Sequence, residues 1–113
     1  MSVVGDELWG TQIGTTGSFG GSGNDKTKII DGDFLSYFDA PTGSNAWSGV
    51  DLGAGNSALI TGWRFCPRLG DSGTDFESRV VGAKLQASND PTFATGIVTL
   101  ETVPAFATIG WCP

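Results

Sequence analysis

Asp31 and Asp33 stand either side of one glycine, in a segment that reads KIIDGDFLSYFDAP from Lys28. Two carboxylates at that spacing can converge on one point, and hard cations take several oxygen ligands at once. The same pair can equally be an ordinary acidic turn whose side chains accept local backbone hydrogen bonds. A second group brackets the longest polar loop, RLGDSGTDFESR, with Arg68 and Arg79 at its ends and Asp71, Asp75 and Glu77 between them. Asn45 lies in the loop after Tyr37 and Phe38, and joins Arg68, Glu77 and Arg79 as a candidate to hydrogen-bond a polar ligand. Sugar sites combine a planar apolar face with a few placed polar groups. Trp47, Tyr37 and Phe38 could offer such faces, although alternation places Trp47, Phe38, Trp63 and Phe65 in the core. The two arginines could also simply pair with the acids of their own loop.

Catalytic chemistry finds little support. The chain has no histidine, so a serine or cysteine nucleophile lacks its usual base, and no SxxK pattern supplies a lysine in its place. Asp71, Asp75 and Glu77 could be paired for glycoside hydrolysis, but their loop is too short to wall a long cleft. GSFGGSG is glycine-rich without being a phosphate loop. The chain therefore reads as a binding protein and not an enzyme.

These residues must be positioned by short strands. Glycine is abundant, at 18 of 113 residues, and segments rich in β-branched and aromatic residues are divided by Gly, Asn, Asp and Pro. That pattern predicts an all-β, antiparallel sandwich or barrel. Residues 58–66 (ALITGWRFC) alternate most clearly, with apolar residues on both faces, and predict a central strand that Pro67 ends. Residues 79–88 predict another, with Val81, Ala83, Leu85 and Ala87 inward. Residues 97–103 predict a third, with Val98 and Leu100 inward. Ile29 and Ile30 lead into the acidic turn as a strand, Thr11 to Gly14 could be an edge strand, and Trp47 opens a short run ending at Leu52. Asn89-Asp90-Pro91 is a turn signal. Residues 15–24 (TTGSFGGSGN) are loop, and Phe19 within it is expected to staple onto the core.

The net charge of −6 opposes a nucleic-acid partner, which needs a basic footprint, and opposes an anionic bilayer surface. No apolar run reaches the roughly 20 residues of a membrane span. MSVVGDELWG has no basic segment and no long apolar stretch, so no secretory signal is visible. Cys66 and Cys112 are expected to be free thiols, because spacing alone does not bring them together.

The blocks KIIDGDFLSYFDAP, AWSGVDLGA, ITGWRFCPR, RVVGAKLQASND and IVTLETV, in that order, resemble the discoidin family. That family covers the coagulation-factor type C domains and the galactose-binding-like carbohydrate-binding modules. The resemblance runs from about Gly10 onward. It implies a single β-sandwich domain over residues 1–113, a jelly roll of the galactose-binding-like kind. It implies loops at one end that recognise surface glycans, galactose-type sugars among them. It also implies a structural calcium at the DGD turn: Asp31 and Asp33 would supply carboxylate oxygens, Lys28 its carbonyl, and Ser36 would stand where the family often has threonine. The family continues for roughly thirty residues through two more strands, to a usual size of about 150. The domain is thus expected to be shortened at its C-terminus, with an open edge covered by the N-terminal segment, a second copy or a larger assembly. An alternative function on the same fold is a decoration or adhesion protein of a bacteriophage particle, working by protein contacts. The expected location is extracellular or on a virion surface.

Overall fold

The computed structural model describes residues 8–33, 35–63, 65–68 and 76–104, with the backbone alone at Glu77. The chain divides into two compact units, Met1–Trp63 and Arg64–Pro113. The ordered elements are antiparallel strand pairs and short 3₁₀ turns, with no α-helix among the described residues.

In the first unit, β1 (Thr11–Gly14) pairs antiparallel with β2 (Ser48–Asp51), with Gln12 opposite Val50 and Ile13 opposite Gly49. Both strands fall where the sequence put them. Gly14 ends β1 at φ +134°, and a Cβ there would stand 2.4 Å from the Trp47 carbonyl oxygen. Only glycine tolerates both the angle and the approach. The ladder then continues for one more step, since the Thr15 N–H donates to the Trp47 carbonyl at 2.9 Å and the Trp47 N–H donates to Thr15 Oγ1 at 3.0 Å.

Lys26–Ile30 is a 3₁₀ helix and not the expected strand. The cause is local. Asp25 caps the segment, its Oδ1 accepting the Thr27 N–H at 3.0 Å, and an Asp cap starts a helical turn whatever the β-propensity of the two isoleucines behind it. That carboxyl titrates below its ordinary range, chiefly through the Thr27 hydroxyl. The helix is moored to the sheet: Gln12 Nε2 donates to the Lys26 carbonyl and to Ser48 Oγ at 3.0 Å, and Ser48 Oγ donates to the same carbonyl at 3.2 Å. One side chain from each strand thus fixes where the acidic turn begins.

In the second unit, Glu77–Val80 forms a 3₁₀ turn and β3 (Lys84–Ala87) pairs antiparallel with β4 (Val98–Thr102). Leu85 lies opposite Glu101 and Gln86 opposite Thr99, so Leu100 is an extra residue and makes a bulge. The bulge interrupts the two-residue period. Val98 and Leu100 are exposed, against the expectation that both face inward, and so is every other residue of β4. Val81 and Ala83 are exposed too, because they lie in the turn before β3, while Leu85 and Ala87 are half-buried as expected. Val103 is 3% exposed, and its backbone closes the hairpin, accepting from Gly82 N–H at 2.9 Å and donating to the Ala83 carbonyl at 2.8 Å. Asp90 organises the β3–β4 loop. It accepts from the N–H and hydroxyl of Thr92 at 2.9 and 2.7 Å, and from the Ala94 and Thr95 N–H groups at 3.1 Å each.

Three further expectations are corrected. The described residues of 58–66 form no strand, and Leu59 is 88% exposed. Alternation shows that a segment suits a pleated surface, but a ladder also requires a neighbour's N–H and C=O groups. Phe38, Trp47, Trp63 and Phe65 are half-buried and not fully enclosed. Cys66 is disulfide-bonded and not a free thiol, and the sequence supplies one other cysteine, Cys112, which lies outside the described residues.

Candidate cation and ligand sites

Ser36 Oγ is the hub of the acidic turn. It lies 2.6 Å from Asp31 Oδ2, 2.9 Å from the Asp33 carbonyl oxygen and 3.2 Å from the Lys28 carbonyl oxygen. A hydroxyl carries one hydrogen, so it can satisfy one of these three acceptors at a time. The other contacts set oxygen lone pairs facing each other, an arrangement that favours positive charge at their centre. All four residues singled out from the sequence, Lys28, Asp31, Asp33 and Ser36, are brought together here. Asp33 enters through its carbonyl; its carboxylate Oδ1 instead accepts the Leu35 N–H at 2.9 Å.

Asp31 is the member that brings a side-chain carboxylate to Ser36 Oγ. Partial burial works to raise its pKa, but hydrogen bonds from Ser36 Oγ and the Asp33 N–H, with the Lys28 charge nearby, outweigh that and hold it below the ordinary carboxylate range. It is therefore ionised at neutral pH. The donor set is all oxygen, the chemistry that suits calcium-class ions. Among the described residues no group of three His, Cys, Asp or Glu gathers anywhere, so a cation at this turn would depend on carbonyls as much as on carboxylate.

The four candidate ligand residues are placed in two groups. Asn45 lies in the first unit, exposed, in the loop before β2, at φ +58°. In the second unit, the Arg68 guanidinium carbon stands 3.8 Å from the centre of the Phe76 ring, and that of Arg79 stands 4.6 Å from it. The expected pairing of these arginines concerned Asp71 and Asp75, which lie outside the described residues, and Glu77, whose backbone begins the 3₁₀ turn. Phe76 is the member that sequence reading missed. Its signal was an aromatic residue three positions before Arg79 in an otherwise polar loop, and the ring collects both cations by its quadrupole.

The chain is similar to the CBM62 from Clostridium thermocellum Xyl5A, with a TM-score of 0.76 and 42% sequence identity over 86% of this chain. The neighbour is a carbohydrate-binding module. This chain spans 66% of that chain's length, just under two thirds. No protein-family model matches the sequence, and no curated protein does. The fold class expected from the sequence stands: all-β and antiparallel, the β-sandwich of the galactose-binding-like kind.

Proposed function

We propose that this chain is a non-catalytic carbohydrate-binding module that recognises galactose-type sugars on a surface. The observation that carries the reading is the 42% identity to a carbohydrate-binding module over most of this chain. At that identity the likeness extends beyond fold alone. In this reading Arg68 and Arg79 are polar contacts of the second unit, and Asn45 is a separate candidate in the first. Guanidinium and amide groups make the paired hydrogen bonds that vicinal sugar hydroxyls ask for. A structural calcium held by the Lys28 carbonyl, Asp31, Asp33 and Ser36 would tie the 3₁₀ helix to the acidic turn and offset the Asp31 charge. The disulfide at Cys66 supports an extracellular setting, because such bonds persist in oxidising compartments.

A glycan array followed by titration calorimetry on the best ligand tests this. Binding to terminal galactose, lost on the double change Arg68→Ala and Arg79→Ala without loss of folding, is the expected result. Failure to bind any glycan, with recovery of the protein from purified virus particles, would overturn it in favour of protein-mediated adhesion.

A further inference from the structure

We infer that Phe19 is a stacking platform for a pyranose unit of a neutral glycan; this rests on the glycan-binding reading above. The sequence suggested a staple onto the core, but the ring is 65% exposed. A lone exposed apolar side chain is ordinary. What sets this one apart is how firmly its loop is held.

The Phe19 N–H donates to the Asp39 carbonyl at 2.8 Å, and the Asp39 N–H donates to the Asn24 carbonyl at 2.8 Å. Ser18 Oγ accepts the Gly23 N–H at 3.0 Å across the tip. Gly20 and Gly21 take left-handed angles, φ +60° and +67°, and two successive tight turns close the tip, the Gly21 N–H donating to the Ser18 carbonyl at 3.1 Å and the Ser22 N–H to the Phe19 carbonyl at 3.2 Å. A loose loop would let the ring collapse onto apolar surface. This one presents it outward from a backbone fixed at both ends.

The surroundings suit a sugar. A Cβ added at Gly17 would stand 3.9 Å from Pro41 Cγ, so the loop runs beside residues 39–41, whose continuation carries Asn45. A pyranose ring has an apolar face of polarised C–H groups, which match the negative face of an aromatic ring, and a rim of hydroxyls for polar loops to bind. A ring carried on an anchored backbone has only its own two side-chain torsions to fix on binding. The chain's charge of −6 disfavours an anionic glycan, which leaves a neutral one.

The test uses the whole chain and two variants, Phe19→Ala and Phe19→Trp. Each is run in affinity gels containing galactan or galactomannan, and melted in parallel. Wild-type retardation, a loss of about tenfold in affinity in Phe19→Ala, retention in Phe19→Trp and equal melting temperatures are expected. Wild type that binds with Phe19→Ala equal to it overturns this inference alone. Wild type that binds neither polysaccharide, nor any glycan on the array, overturns the inference together with the reading it rests on. Wild type that instead partitions onto phosphatidylcholine vesicles through Phe19 assigns the ring to a bilayer and also overturns it.

Discussion

Ser36 Oγ stands 2.6 Å from Asp31 Oδ2, and the same oxygen is within reach of two backbone carbonyls. If a calcium-class ion completes this cluster, it stabilises the folded chain by mass action. At one hundred times its dissociation constant that is worth about 2.7 kcal/mol, or about 10 °C in melting temperature at roughly 4 °C per kcal/mol. Chelator should lower the melt by that order and added calcium restore it. In Ser36→Ala the difference between the two conditions should largely vanish.

Asp90 gives a pH prediction. Hydrogen bonds from the Thr92 hydroxyl and N–H lower its pKa to about 2, against an ordinary value of 3.8. A depressed folded pKa means the carboxylate's contribution is complete above pH ~4 and is lost as pH falls through about 2. The melting-temperature gap between wild type and Asp90→Asn should be constant from neutral pH to ~4.5 and close towards pH 2. A gap that widens on acidification would contradict the assignment.

Gly14→Ala would place a methyl group 2.4 Å from the Trp47 carbonyl oxygen at a left-handed φ. The expected cost is ~1–3 kcal/mol, read as a lower midpoint in urea. Ala at Gly43, where a Cβ meets nothing within 4 Å, is the matched control and should leave the midpoint nearly unchanged.

Arg79 is exposed and Arg68 half-buried, and both stand over Phe76. Exposed cation–π contacts contribute about 0.5–1 kcal/mol. Arg79→Ala should therefore lower stability by no more than that while weakening glycan binding tenfold or more. Lysine at position 79 should keep the ring contact and lose the forked hydrogen bonding, so it should restore stability better than affinity.

The Cys66 disulfide predicts that no free thiol titrates in the unfolded, unreduced protein. Reduction should lower stability by ~2–4 kcal/mol.

β1 and β3 were legible because each is followed by a local marker: the glycine that ends β1, and the Asn-Asp-Pro turn after β3. The acidic turn was legible because Asp31, Asp33 and Ser36 lie within one six-residue stretch of chain. Residues 58–66 misled because alternation reports suitability and not a partner. Lys26–Ile30 misled because the Asp25 cap outweighs β-branching, and Phe19 because composition does not reveal which way a loop faces. Phe76 was passed over because its role comes from two arginines at different sequence distances.

The loop that carries Phe19 is anchored through main-chain atoms of Phe19, Asn24 and Asp39. Peptide groups are common to every non-proline residue, so these anchors outlast a change of side chain. The residues between them can be rewritten, provided the left-handed positions keep glycine. Selection, or a designer building a panel of lectins, can thus change what the tip recognises while the frame beneath it stays the same.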